Sequence, residues 1–153
     1  RENQMRVEMA TIFQSQLKDV GINLDVNIVS SAIEAELTNS GDFDIAIMQW
    51  STPPADADYT YYPLFHSDQR GAAGNRSLLS DPKVDELIMK GKFTADQTER
   101  QKIYDELDVL LSEISNVGPI CSDETIIGMK VGTEGFVSHG AGYHKLYGVK
   151  IKK

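Results

Sequence analysis

The chain has one cysteine, Cys121, so no disulfide can form within it, and cysteine usage leaves the redox compartment open. No stretch approaches the roughly 20 apolar residues a helix needs to cross a bilayer. Positive charge is scarce. Fifteen Lys and Arg stand against 23 Asp and Glu, and the net charge of −8 opposes binding to nucleic acid phosphates or anionic lipid. The basic end, Lys150, Lys152 and Lys153, is too short to reverse that field. His66, His139 and His144 lack metal-ligand spacing and read as surface residues. Gly71-Ala72-Ala73-Gly74-Asn75-Arg76 is glycine-rich but lacks the Gly-Lys-Ser/Thr of a phosphate loop, so it reads as an ordinary surface loop. No signal peptide is visible. The chain opens at Arg1 and enters an amphipathic helix almost at once, which reads as a piece of a longer protein.

What is present suits one soluble domain over residues 1–153, with 41% hydrophobic and 25% charged residues. Met5, Met9, Ile12, Phe13, Leu17 and Val20 follow helical spacing, and Gly21 stops the helix. Ile22, Leu24, Val26 and Ile28 alternate with polar residues, predicting a strand over 22–29. Ser30 or Ser31 caps a short helix through about Leu37, and a turn at residues 39–42 follows. Ile45, Ala46, Ile47 and Met48 form an unbroken apolar run, predicting a buried strand over 44–50. This order predicts that the two strands are parallel neighbours with the helix crossing between them. Further on, Asp81-Pro82 opens a helix that Gly91 ends. Thr94 and Gln97 have capping-box spacing for the longest helix, which buries Ile103, Leu107, Leu110, Leu111 and Ile114 with Tyr104 at its edge. After Val117, short apolar runs and glycines read as strands and turns, with Cys121 a buried, inert thiol. The fold class is α/β with a mixed sheet.

Residues 44–65 carry the functional signal. The strand ends at Trp50, the only tryptophan. A polar loop with Pro53, Pro54, Asp56 and Asp58 follows, and then an aromatic helical turn from Tyr59 to Phe65. A loop at the carboxyl end of a buried strand is a usual ligand site in open α/β sheets. Trp50 suits a half-exposed ligand platform or the core. Tyr59, Tyr61 and Tyr62 line the same cavity or pack beneath it. Asp56 and Asp58 could form an acid/base pair in a hydrolase or transferase, which would require a His or Lys converging on them. Otherwise Asp58 caps the turn at Tyr59, and Asp56 is the freer carboxylate for a cationic ligand group.

The order of these pieces resembles the C-terminal lobe of the family 5, peptide/nickel-type extracellular solute-binding proteins of ABC importers. The resemblance is carried by Leu17-Lys18-Asp19-Val20-Gly21-Ile22, by Gly41-Asp42-Phe43-Asp44 before the second strand, and by Trp50 at its end. Asp81-Pro82-Lys83-Val84-Asp85-Glu86-Leu87-Ile88 and Glu99-Arg100 with Tyr104 continue it. The segment from Trp50 to Asp58 is most similar to glutathione- and peptide-binding members. Two departures are Pro53, where many peptide binders carry an Asp for the peptide ammonium, and Leu79, where members often carry Tyr.

The resemblance implies one lobe of a type II periplasmic-binding-protein fold, with the N-terminal lobe absent from this chain. It implies a monomer outside the cytoplasm, closing around a short peptide or glutathione-like solute and delivering it to a membrane permease. No cofactor is needed and no bond is made or broken. Carried over, Gln49, Trp50, Ser51 and Thr52 supply an edge to the peptide backbone. Asp56 takes over as anionic anchor, with Asp58 and Tyr61 beside it. A nickel or other small-solute binder is the alternative within the family.

Overall fold

A computed structural model describes residues 3–52, 56–122, 124, 126–139 and 144–152. Helix α1 (Gln4–Asp19) begins at Asn3, whose side chain accepts from the Arg6 N–H. It ends at Gly21, which is left-handed at φ 85°. The N–H groups of Gly21 and Ile22 donate back to the carbonyls of Lys18 and Leu17. That paired closure needs a residue free to take positive φ. Helix α2 (Ser31–Ser40) is capped by Ser30 and closed by Gly41, running three residues past the predicted end.

Helix α3 (Asp58–Phe65) tolerates Pro63 within it. Helix α4 (Pro82–Phe93) opens as expected, with Asp81 accepting from the N–H groups of Lys83 and Val84 at 2.8 and 3.1 Å. It does not stop at Gly91, which is buried inside its last turn against Tyr104. Helix α5 (Gln97–Ile114) is capped by Asp96, not Thr94. Asp96 accepts from the Glu99 N–H at 2.8 Å, while the Thr94 hydroxyl donates to the Lys90 carbonyl at 2.7 Å and closes α4. The two helix ends are so close in sequence that each polar side chain serves a different one.

The core lies among α3, α4 and α5: Phe65, Val84, Leu87, Ile88, Ile103, Tyr104, Leu107 and Leu111. Tyr104 is a buried member, not an edge residue, because Gly91 leaves room for its ring.

The segment between α3 and α4 is not the loose surface loop expected from its glycines. Two 3-10 turns, Ser67–Gln69 and Gly71–Ala73, fold it over the core. Asn75 is fully buried. Its Nδ2 donates to the carbonyls of His66 and Leu79, and its Oδ1 accepts from the Leu79 N–H and the Ser77 hydroxyl. These bonds bracket Leu78, whose φ of 57° is costly for a residue with a side chain. His66 is likewise buried, correcting its expected surface position, and its Nδ1 accepts from the Asp68 N–H.

The predicted strands diverge most. Residues 22–29 and 45–50 adopt neither helix nor strand, Asp44 forms a bend, and no ladder joins the two segments to each other or to any described residue. An alternating or apolar pattern is not sufficient by itself, because a strand also needs a neighbour to take its N–H and C=O groups. Instead, β1 (Thr133–Glu134) and β2 (Lys150–Ile151) pair antiparallel, and a bridge joins Val137 to Lys145. Cys121 is exposed, not in a buried strand. The expected strand at 125–129 and the glycines at 140 and 142 fall partly or wholly outside the described residues. Helices with a small sheet are what part of an α/β lobe presents.

Candidate functional site

Gln49, Trp50 and Ser51 lie exposed just after the apolar run 45–48. Trp50 keeps 44% of its surface open, so it is half-exposed and not part of the core. Thr52 is half-buried, and its hydroxyl shares a short hydrogen bond with the hydroxyl of Thr60 on α3. Pro53, the departure from the peptide-binder pattern, lies outside the described residues.

The two carboxylates that follow depart from their expected roles. Asp58 makes no capping bond, and instead the Asp56 Oδ1 accepts from the Asp58 N–H at 2.9 Å just ahead of α3. The geometric reason is that Asp58 is already the first residue of α3, and a cap must precede the N–H it serves. Nor is Asp56 free. The guanidinium of Arg100 grips it with two bonds, Nη2 to Oδ1 at 2.6 Å and Nη1 to Oδ2 at 3.2 Å. The Arg100 bond, seconded by the Asp58 N–H, holds the Asp56 carboxyl below the usual carboxylate range.

Asp58 faces Lys92 at the end of α4, with Nζ 3.6 Å from Oδ2, and its Oδ1 is buried without a hydrogen-bond partner. The same ammonium lies 3.9 Å above the ring of Tyr62. These groups, with Tyr59 and Pro63, line a cleft of about 330 Å³. A lysine therefore does converge on the acidic pair, the feature a hydrolase or transferase would require. The arrangement, however, is two separate ion pairs. A depressed, arginine-bound Asp56 is a poor proton donor, because general acids need raised values.

Tyr61 takes the packing alternative. Its ring stacks on Tyr104 at 5.0 Å, and its hydroxyl donates to Asp108 at 2.5 Å. Burial, then the Asp108 contact, pushes its phenol well up. Tyr61 thus packs against α5, whereas Tyr59 and Tyr62 line the cleft.

Arg100 is the residue sequence reading passed over. It is fourth in α5, where a cation opposes the helix dipole, and that mismatch was a usable signal of a tertiary partner. Among the described residues, no group of three or more His, Cys, Asp or Glu is arranged to hold a metal ion. No described helix is long and apolar enough to cross a membrane.

Comparisons with known proteins agree with this picture. Residues 1–72 match the model for bacterial extracellular solute-binding proteins, family 5. The chain is 35% identical over 98 residues to the probable D,D-dipeptide-binding periplasmic protein DdpA of Escherichia coli, covering 64% of this chain and 19% of that protein. It is 28% identical over 113 residues to the oligopeptide-binding protein AppA of Bacillus subtilis, covering 72% and 20%. The fold is similar to HbpA2 from Haemophilus parasuis, with a TM-score of 0.78 and 22% identity over 95% of this chain and 29% of that one. The chain therefore spans about a fifth of the length of these two curated relatives.

Proposed function

We propose that this chain, similar over residues 1–72 to the family 5 bacterial extracellular solute-binding proteins, is a member of that family and the C-terminal ligand-binding lobe of a two-lobe protein. That protein captures a short peptide outside the cytoplasm and delivers it to the permease of an ABC importer. It works as a monomer, by enclosing the ligand, with no bond made or broken. The names of its relatives, a probable dipeptide binder and an oligopeptide binder among them, support a peptide over other solutes.

The observation that carries the reading is the run Gln49, Trp50, Ser51 and Thr52, proposed as the ligand edge. It is open to solvent up to Ser51 and ends beside an acidic corner. A peptide adds to such an edge through main-chain bonds, with an aromatic platform holding one side chain. Asp56 and Asp58, each already facing a cation, form a partly neutralised border to this edge, and Tyr61 supports it from below. A glutathione-like solute would be held by the same amide contacts.

The test is a thermal-unfolding screen of the full-length protein against di- to pentapeptides, glutathione and nickel ions. A true ligand at a hundredfold excess over its Kd stabilises the native state by about 2.7 kcal/mol. Stabilisation by peptides, weakened by Trp50→Ala, is the expected result. Stabilisation by nickel alone would overturn the peptide reading.

A further inference from the structure

We infer that Arg100 is a positioning residue for the ligand edge: it ties the corner after Trp50 to the α4–α5 core. Three parts of the molecule meet at its guanidinium. Nε donates to the Gly91 carbonyl in the last turn of α4 at 3.0 Å. Nη1 and Nη2 hold Asp56, and Nη2 also reaches the Tyr104 hydroxyl at 3.3 Å. The Arg100 side chain is only 15% exposed, whereas that of Asp56 is 42% exposed. The fixed partner is therefore the arginine, and the held partner is the corner.

The same Asp56 carboxylate starts α3 through the Asp58 N–H, and α3 in turn holds Thr52 through Thr60. One guanidinium thus bears on both Asp56 and, through α3, Thr52 at the end of the proposed edge. Lysine could not do the same, since one ammonium has no planar fork to grip a carboxylate and a carbonyl together. Asp56, on this view, acts on the ligand through its place in the tie and not by contact.

The inference rests on residues 49–52 being the ligand edge, so the experiment separates the two claims. In the full-length protein, Asp56→Asn, Arg100→Gln and the double variant are compared by amide exchange of residues 49–52 and 56–60 without ligand. They are compared again by calorimetric affinity for a peptide that stabilises the wild type and for its N-acetylated form. Ile103→Val is the control for mild destabilisation of the same helix.

Losing the tie lowers the fraction of protein with a competent edge, so each single variant should exchange faster and bind roughly five- to tenfold more weakly. The double variant should be no worse than the weaker single, and Ile103→Val should stay near wild type. N-acetylation should not change the ratio between variants. Unchanged exchange in a folded Arg100→Gln overturns the inference whether or not any peptide binds. So does a loss in Asp56→Asn that vanishes with the acetylated peptide, which would make Asp56 a direct anchor. If Arg100→Gln does not fold, Arg100→Lys takes its place, with the same loss expected and wild-type behaviour overturning the tie. A wild type that binds no peptide, with exchange altered as stated, refutes the proposed function and leaves the tie standing.

Discussion

The two halves of this chain use the same hydrophobic patterning with opposite results. In residues 58–114, apolar positions at helical spacing close on each other, and Val84, Leu87, Ile88 and Leu107 are at most 1% exposed. In residues 3–52 the patterns are as regular, yet Ile12, Ile22 and Ile45 keep 55%, 53% and 61% of their surface open. Thr38 is the one described residue there that is fully buried, held by Arg76 from the other half. A pattern specifies a face, and burial requires something to cover it. Helices α4 and α5 are adjacent in sequence and cover each other. Helix α1 meets α2 through Arg6 and Glu34 and the 22–29 segment through Gln14 and Leu24, but these polar contacts leave Ile12 and Ile22 open.

The largest effect should come from the closed half. Leu107→Ala removes a side chain with no exposed surface and should cost about 2–5 kcal/mol, read from denaturant unfolding. A cost below 1 kcal/mol would mean the α3–α5 core is not where stability resides.

Gly91→Ala is next, and its sign is informative. On an open helix face, alanine would stabilise by about 1 kcal/mol. Here its Cβ would sit 2.8 Å from the Tyr104 ring, so overpacking should win and cost about 1–3 kcal/mol. A rise in Tm would show that α4 and α5 can part without penalty.

Acid should act on the tie between the halves. Asp56 has a lowered folded value, so its contribution is complete above the unfolded value of about 3.9 and is lost as pH falls through the folded one. The carboxylate is 42% exposed, and solvent screening keeps the effect below about 1 kcal/mol. Asp56→Asn should therefore flatten the stability profile below pH 4 and leave its shape at pH 6 to 8 unchanged. A loss of the wild-type contribution beginning near pH 6 would contradict the arginine pairing.

The smallest effect should be Ile12→Ser on the open face of α1, within about 0.5 kcal/mol. A cost comparable to that of Leu107→Ala would show that this face is covered in the whole protein, and the contrast between the halves would dissolve.

The sequence alone determined the helices and most of their ends. Local chemistry sets these: Asn3, Ser30 and Asp81 each offer a side-chain oxygen to N–H groups two or three residues on, and Gly21 and Gly41 can take positive φ. It also marked residues 49–58 as the place to look, because a lone tryptophan at the end of an apolar run and two nearby carboxylates are visible without coordinates. Only the tertiary structure decided the rest. Whether 22–29 and 44–50 pair depends on a partner that no strand pattern contains. The burial of His66 and Asn75 follows from how the 66–80 segment folds back on the core. The pairings of Asp56 and Asp58 depend on Arg100 and Lys92, which lie 44 and 34 positions along the chain. Caps and turns are settled within a few residues, but an ion pair is settled by what the folded chain brings within 4 Å.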